Sequence, residues 1–146
     1  MLTMKKLVIG MMVFCSLIAT SGAAWCVNNG NGTVTVNGLV WLEDAGCLGR
    51  MNWNDATTRP KSLAHGQCGL KDRSMPGDWR LPTIYELKAV SSAKGQFRNV
   101  QPVGYWSSST YLGDISNAWY VIVGGGFVDY GNKADNAYVW PVRAGQ

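Results

Sequence analysis

Few side chains of this sequence could take part in catalysis. His65 is the single histidine among 146 residues, so a serine or cysteine nucleophile would have one conventional imidazole base available. This histidine lies at the predicted end of a helix, where the side chain more often caps the helix or faces solvent. We therefore predict that the protein is not an enzyme.

The sequence also lacks the residue spacings of a metal site or a phosphate loop. Zinc takes four nitrogen or sulfur ligands at short spacings, whereas the cysteines after position 25 are spaced at intervals of 21 residues. Calcium takes a cluster of oxygen ligands, and the late acidic residues Asp114, Asp129 and Asp135 fall in separate predicted loops. The glycine run 124–126 lacks the Lys-Ser/Thr ending of a phosphate loop. We predict neither a metal nor a cofactor.

Residues suited to recognition are concentrated in the last third of the chain. Aromatic rings beside amides and short hydroxyls make adaptable binding surfaces, and such residues alternate along predicted strands in this region. The alternative is that they are only strand exteriors and turn formers. The predicted ligand-binding residues are Tyr111, Asp114, Asn117, Trp119, Asp129, Tyr130 and Asn132.

The first 24 residues have the pattern of a secretory signal peptide. Lys5 and Lys6 precede an apolar run over residues 7–19, and small residues occupy positions 21–24. The apolar run is shorter than the roughly 20 residues that a membrane-spanning helix needs. We therefore predict a signal peptide over residues 1–24 and one domain over residues 25–146. The mature protein should be secreted or periplasmic, in a bacterial envelope, and should not span the membrane.

The charge of the chain indicates no nucleic-acid partner. The sequence carries 13 Lys and Arg against 9 Asp and Glu, a net charge of +4. Removal of Lys5 and Lys6 with the signal peptide reduces this net charge to +2. Such a small excess favours no polyanionic partner.

Three cysteines remain after the predicted cleavage, and export permits disulfide bonds. Cys47 and Cys68 flank a predicted helix and its exit loop, so we predict a disulfide between them. Cys26, beside the cleavage site, is then expected to be free or to form an intermolecular bond.

A central stretch, residues 77–87, contains the start of a helix. Pro82 disfavours a helical conformation of the residue before it. Thr83 and Glu86 have the spacing of a capping box, in which each side chain accepts a hydrogen bond from the backbone of the other residue. The pattern predicts a helix from Thr83 to about residue 93.

The same stretch contains residues that we interpret as structural. Trp79 can bury a large ring, and Arg80 can reach main-chain carbonyls or the carboxylate of Asp78. We assign structural roles to Trp79, Arg80 and Pro82, and to Trp106 in a later predicted strand.

The other predicted elements define the fold class. Strand-like runs at 33–36 and 39–42 are joined by Asn37-Gly38, the strongest short-range signal for a hairpin. Another helix is expected from Asn52 to about residue 65, kinked or split at Pro60. Later strands are expected over residues 105–110, 118–123, 127–130 and 136–143, and the last of them could pair beside the opening hairpin. We predict an α+β fold, an antiparallel sheet with two helices and paired termini.

Several blocks of the sequence occur in the order seen in one known family. The chain resembles the Lcl C-terminal domain family, a domain of unknown function that is named for a collagen-like bacterial adhesin. The most specific blocks are Asp-Trp-Arg-Leu-Pro-Thr at 78–83 and Tyr-Trp-Ser-Ser at 105–108. The likeness covers nearly all of residues 25–146, with departures at Arg59-Pro60 and Trp140-Pro141. The further matching blocks are Asn31–Thr35, Gly38–Leu42, Asn52-Trp53 with Ala56, Gly66–Leu70, Glu86-Leu87, Ala118–Val121 and Val142-Arg143.

The resemblance implies a C-type-lectin-like fold and a role in binding. The name-giving adhesin is implicated in binding glycosaminoglycans. Similar folds occur in formylglycine-generating enzymes, whose chemistry needs reactive cysteines or metal-site residues late in the fold, but no cysteine follows Cys68. We predict a secreted, non-enzymatic, adhesin-like module that recognises a glycan, a glycosaminoglycan or a surface protein. The alternatives are a variable protein of a diversity-generating retroelement system and a structural envelope protein.

Overall fold

The computed structural model describes residues 13–15 and 24–145. The predicted signal peptide, residues 1–24, therefore lies outside the described residues, apart from Ala24 and a short strand, β1 (Val13–Cys15). Strand β1 pairs antiparallel with β2 (Ala24–Asn28). In the part of the chain that the structure describes, no helix has the length and apolar character needed to cross a membrane.

The first sheet is built around the hairpin that the sequence predicts. Strands β3 (Thr33–Val36) and β4 (Leu39–Leu42) pair antiparallel and are joined by Asn37-Gly38. Both turn residues have a positive φ, 50° for Asn37 and 81° for Gly38, as a two-residue hairpin turn of this hand requires. The last strand pairs antiparallel with β4, so the predicted pairing of the closing segment with the opening hairpin is confirmed.

A second sheet contains most of the later strands. It comprises β5 (Arg50–Met51), β6 (Gly104–Thr110), β7 (Asn117–Ile122), β8 (Phe127–Asn132) and β9 (Ala137–Tyr138). The strand order is β5-β9-β6-β7-β8, and the pairs are antiparallel except for β6 and β9, which run parallel. The α+β class with two α-helices is confirmed, but the described strands form two sheets and one of them is mixed.

The segment expected as one final strand is divided between the two sheets. Strand β9 ends at Tyr138 in the second sheet, and β10 (Val142–Ala144) joins the first. Pro141 lies between them, and because proline has no N–H to donate, a continuous ladder is interrupted there. The Pro141 carbonyl still accepts a hydrogen bond from the Leu42 N–H at 3.1 Å. The chain therefore crosses from one sheet to the other at this proline.

Both predicted helices are present and shorter than expected. Helix α1 (Trp53–Thr58) is capped by Asn52 and continues as a 3-10 turn over Arg59–Ser62, so Pro60 splits the helical segment as predicted. Helix α2 (Ile84–Ser91) begins after Thr83 with both hydrogen bonds of the predicted capping box. A second short 3-10 turn covers Lys94–Gln96.

The main core lies between the two sheets and helix α2. Trp140 is fully buried at its centre, where its ring contacts Trp41 edge-on at 5.6 Å between centroids and Phe97 at 4.7 Å. Its indole Nε1 donates to the Leu42 carbonyl at 3.0 Å. Trp140 thus satisfies its polar atom while burying a large apolar ring.

A second apolar cluster holds the loop before α2 against the first sheet. Trp79 is fully buried there, among Leu42, Leu63 and Leu70. Of the two partners predicted for the neighbouring Arg80, the carboxylate of Asp78 is wrong, whereas a main-chain carbonyl is confirmed, since Arg80 Nη1 donates to the Leu81 carbonyl at 3.4 Å. The Asp78 carboxylate instead accepts from the Met75 N–H at 2.8 Å.

The predicted disulfide between Cys47 and Cys68 is confirmed. It joins two loops that are separated by 21 positions in sequence. Cys26 is also disulfide-bonded, so of its two predicted states, a free cysteine or an intermolecular bond, the free cysteine is wrong. Cys26 lies on β2 and is buried among the residues of the main core.

Candidate functional site

The two faces of the second sheet carry different surfaces. Its inner face packs against helix α2 through Val121, and its outer face carries Ala118 and Tyr120, which pack with residues of α1. Side chains alternate between faces along a strand, and directly paired residues of neighbouring strands share a face. The pairing of β7 with β8 therefore decides on which surface each predicted binding residue lies.

Three of the predicted residues form one aromatic cluster. The rings of Tyr111 and Tyr130 are stacked, with centroids 4.0 Å apart and planes at 5°. Trp119 contacts both rings edge-on, at 5.1 Å from Tyr111 and 5.5 Å from Tyr130. Trp119 and Tyr130 are directly paired on β7 and β8, and Tyr111 follows the end of β6. We call these three residues the aromatic cluster.

The aromatic cluster lies at the surface. Tyr130 is 43% exposed, and Trp119 and Tyr111 are half-buried. The neighbouring Tyr111 raises the pKa of the Tyr130 hydroxyl above its ordinary value, and the Asp129 charge acts in the same direction. The Tyr130 hydroxyl therefore remains a protonated donor in neutral solution.

Two asparagines border the cluster on the same face. Asn117 pairs directly with Asn132 at the ends of β7 and β8, two positions along the strands from Trp119 and Tyr130. The Asn132 side-chain oxygen accepts from the Ala134 N–H at 2.9 Å and so shapes the following turn. Amide groups thus flank the rings, as a recognition surface requires.

The two predicted acidic residues adjoin the cluster without being part of it. The Asp129 side chain lies on the outer face, where its carboxylate accepts from the Tyr120 hydroxyl at 3.3 Å. Asp114 lies in the turn between β6 and β7 and accepts from the Ser116 hydroxyl at 2.6 Å, a bond that lowers the pKa of the Asp114 carboxyl. The Asp114 N–H donates to the Tyr111 carbonyl at 3.2 Å, and its carbonyl accepts from the Asn117 N–H at 2.9 Å. The structure therefore brings together Tyr111, Trp119, Tyr130, Asn117 and Asn132, with Asp114 in the adjoining turn and the Asp129 side chain on the opposite face.

The turn that carries Asp114 also exposes two large apolar side chains. Leu112 is 88% exposed and Ile115 is 73% exposed. They follow Tyr111 in sequence, in the turn that leads from the aromatic cluster to β7. Large exposed apolar patches mark interaction surfaces, whereas single exposed apolar residues are common on any protein.

The outer face of the second sheet contains a cleft that the sequence did not predict. Its volume is about 370 Å³, within the range of small-molecule sites. Trp106 lies at its base, fully buried, with its indole Nε1 donating to the Met51 carbonyl at 3.0 Å. The cleft is lined by Pro102, Val103, Gly104, Trp106, Tyr120, Ile122, Gly131, Asp135, Asn136 and Ala137.

Two glycines make room for the Tyr120 ring in this cleft. A Cβ atom at Gly104 would approach Tyr120 Cδ2 at 3.2 Å, and one at Gly131 would approach Cε1 at 3.0 Å. These are opposite edges of the ring, so the ring lies between the two glycines on neighbouring strands. Trp106 contacts it edge-on at 5.8 Å. A glycine inside a strand pattern often marks such a close approach, and this was the signal in the sequence that could have located the cleft.

The single histidine of the sequence lies away from the second sheet, in the loop before α2. His65 is exposed, and its Nδ1 accepts a hydrogen bond from the Arg73 N–H at 3.1 Å. Within the ranges 13–15 and 24–145, no group of three or more His, Cys, Asp or Glu residues is placed to hold a metal ion.

Comparison with known proteins agrees with the resemblance seen in the sequence. A search of curated proteins found no match to this chain. The family model of the Lcl C-terminal domain matches residues 32–143, which include both sheets' central strands, both helices and the aromatic cluster. Because this match covers more than half of the chain, the protein belongs to the Lcl C-terminal domain family.

Proposed function

We propose that this protein is an exported, non-enzymatic binding module that recognises a glycan through the aromatic cluster. The observation that carries the proposal is the solvent-exposed stack of Tyr111 on Tyr130, with Trp119 against both rings. Tyrosine and tryptophan rings offer a rigid apolar face and a polar edge, which suits the C–H faces and hydroxyls of a sugar. A C-type-lectin-like fold, which the family resemblance implies, is part of this proposal.

The charge of the cluster favours an uncharged glycan. None of the three cluster residues is Lys, Arg, Asp or Glu, and the flanking side chains of Asn117 and Asn132 are amides. Sulfated glycosaminoglycans are recognised mainly by clustered Arg and Lys side chains. We therefore propose a neutral oligosaccharide rather than the sulfated ligand that the resemblance implies.

Export is supported by the cysteine chemistry. The Cys47–Cys68 disulfide joins two loops, and such bonds form and persist in oxidising compartments. Together with the signal-peptide pattern of residues 1–24, this supports a secreted or periplasmic location. Intact-mass measurement of the exported protein tests it: an amino terminus at Ala24 or Trp25 supports export with cleavage, and a retained Met1 contradicts it.

A glycan array with paired variants tests the proposed function. Tyr130→Ala removes the exposed member of the ring stack, and Phe127→Ala removes a ring from the other face of the same strand that is more exposed, at 68% against 43%. We expect wild-type protein and Phe127→Ala to bind the same uncharged glycans and Tyr130→Ala to lose them. Equal binding by both variants, or binding confined to sulfated glycans, would contradict the proposal.

A protein ligand is the second candidate, and one observation favours it. Leu112 and Ile115 extend the aromatic cluster with exposed aliphatic side chains, which are common in protein interfaces and contribute little to sugar recognition. Replacing both by Ser separates the candidates. Glycan binding should survive the double substitution, whereas binding to a surface protein through this patch should be lost.

A further inference from the structure

The outer-face cleft is acidic in a chain of positive net charge. The full sequence carries a net charge of +4, yet Asp135 is the one charged residue among the described residues that line the cleft. Its side chain forms no ion pair with any other described residue. The cleft therefore presents an uncompensated carboxylate at its edge.

A second carboxylate lies at the ring that forms part of the cleft wall. Asp129 accepts a hydrogen bond from the Tyr120 hydroxyl at 3.3 Å. Burial raises the pKa of Tyr120, and the negative charges of Asp129 and Asp135 raise it further. Both carboxylates are thus near enough to the Tyr120 ring to disfavour ionisation of its hydroxyl. The same two negative charges favour a cation beside the ring.

Two basic residues of the second sheet and its turns form contacts other than an ion pair with Asp135. The Lys133 ammonium lies 4.1 Å from the centroid of the Trp53 ring and donates to the Thr110 hydroxyl at 3.0 Å. The Arg50 guanidinium donates to the main-chain carbonyl of Asn136, a residue of the cleft lining, at 3.0 Å. Neither basic residue lines the cleft or pairs with Asp135, so the Asp135 charge remains available to a ligand.

The remaining lining of the cleft suits an apolar body attached to a cation. Ile122 and Ala137 contribute aliphatic surface, and Tyr120 contributes an aromatic ring. Aromatic faces attract cationic nitrogen, and the attraction grows as water is excluded from the site. Gly104 and Gly131 let the Tyr120 ring lie close to the sheet between them, and this placement sets the position of the ring in the cleft wall.

We propose that this cleft is a second binding site, separate from the aromatic cluster, and that it takes a small organic cation. The ammonium group lies between the Asp135 carboxylate and the Tyr120 ring, and its alkyl substituents contact Ile122. The site is on the opposite face of the sheet from Trp119 and Tyr130, so it does not depend on the glycan-binding proposal.

Titration of the exported protein with choline tests the proposal against a neutral control. The control ligand is the uncharged carbon isostere of choline, in which a tert-butyl group replaces the trimethylammonium group. Backbone amide shifts in NMR spectra at constant ionic strength report the site. We expect choline to shift the resonances of Gly104, Tyr120 and Gly131, and the isostere to bind roughly tenfold more weakly.

Two substitutions complete the test. Asp135→Asn should weaken choline binding roughly tenfold, because it removes the charge and keeps the shape of the side chain. Asp78→Asn removes the same charge from a loop outside the cleft and should leave choline binding unchanged, as should Tyr130→Ala in the aromatic cluster. Equal binding of choline and its isostere, or unchanged choline binding by Asp135→Asn, would overturn the proposal. A failure of glycan recognition would leave it standing.

Discussion

Arg80 and Glu86 form a bidentate ion pair across the start of helix α2. The distances are 2.8 Å from Arg80 Nη1 to Glu86 Oε2 and 2.9 Å from Nη2 to Oε1. Glu86 Oε2 also accepts from the Thr83 N–H at 2.9 Å, which completes the capping box. The Glu86 carboxylate therefore holds both the start of the helix and the side chain of Arg80. The backbone of Arg80 in turn exchanges two main-chain hydrogen bonds with Val142 of β10.

This ion pair predicts a specific acid sensitivity. Hydrogen bonding to Arg80 lowers the pKa of Glu86 below its ordinary value of 4.5, although burial acts in the opposite direction. A carboxyl whose pKa is lowered by folding contributes stability above its unfolded pKa, and this contribution is lost as the pH falls through the folded value. Glu86→Gln should cost about 1 kcal/mol at neutral pH, because Arg80 is partly exposed and the pair is screened.

Urea denaturation at several pH values measures this effect. The difference in unfolding free energy between wild type and Glu86→Gln should shrink below the ordinary carboxyl pKa. Tyr85→Ala, an adjacent change at a side chain that is 85% exposed, serves as the control. A difference that stays constant from neutral to acid pH would show that the charge of Glu86 is not responsible.

The Cys47–Cys68 disulfide should stabilise the fold by about 3 kcal/mol, since it closes a loop of 21 residues in the unfolded chain. The double variant Cys47→Ala and Cys68→Ala should therefore unfold at a lower urea concentration while keeping its native far-ultraviolet circular dichroism. The double variant is compared with oxidised wild type, because a reductant would also break the disulfide bond of Cys26. A loss well below 1 kcal/mol in the double variant would mean that the unfolded chain is already compact between these positions.

Trp79→Ala should be among the most destabilising single changes, at roughly 3–5 kcal/mol, because the ring is fully buried and its removal leaves a cavity. Trp25→Ala is the matched tryptophan control, since Trp25 is 59% exposed. Thermal denaturation followed by calorimetry compares the two variants. Equal losses would contradict the assignment of Trp79 to the core.

The buried pair of Asp72 with Arg143 anchors the loop before α2 to strand β10. Arg143 Nη2 lies 3.1 Å from Asp72 Oδ2, and the Asp72 side chain is completely buried. Burial alone would raise the pKa of Asp72, but hydrogen bonds from Ser74 and the Arg143 charge hold it below its ordinary value. Breaking a buried pair leaves an uncompensated charge, so Asp72→Asn should cost roughly 3 kcal/mol.

An exposed ion pair in the same protein provides the comparison for Asp72. Arg98 pairs with Glu43 at 3.4 Å, and the Arg98 side chain is 60% exposed. Arg98→Gln should therefore cost below about 1 kcal/mol in the same denaturation experiment. Similar costs for Asp72→Asn and Arg98→Gln would show that the Asp72 site is hydrated in solution.

Local patterns in the sequence were sufficient to predict the hairpin, the capped helix and the split helix. The hairpin turn depends on Asn37 and Gly38 alone, and the capping box of Thr83 and Glu86 depends only on residues within one helical turn. The division of strands into two sheets could not be predicted this way, because it depends on where the chain crosses at Pro141. The partner of Arg80 was also missed, since proximity in sequence favoured Asp78 and the helix start brings Glu86 closer.

The candidate sites were predictable to a similar extent. Composition indicated that the aromatic residues of the late strands matter. It could not predict that Tyr111 stacks on Tyr130 or that the Asp129 side chain lies on the opposite face of the sheet. Those relationships follow from strand register, which the bulge between Trp106 and Thr110 shifts. Gly104 and Gly131 within strand patterns indicate close approaches, but the cleft depends on their diagonal placement around Tyr120, which is a relation between three strands and follows from the register of the sheet.

Mapping a bound glycan by NMR tests the central claim most directly. An uncharged glycan selected on the array is titrated into isotopically labelled wild-type protein, and shifts of backbone amides and of the tryptophan indole N–H groups are followed. We predict the largest shifts at Tyr111, Trp119 and Tyr130, with a distinct change of the Trp119 indole resonance. The account is contradicted if these resonances stay fixed while those of the loop over residues 66–78 move.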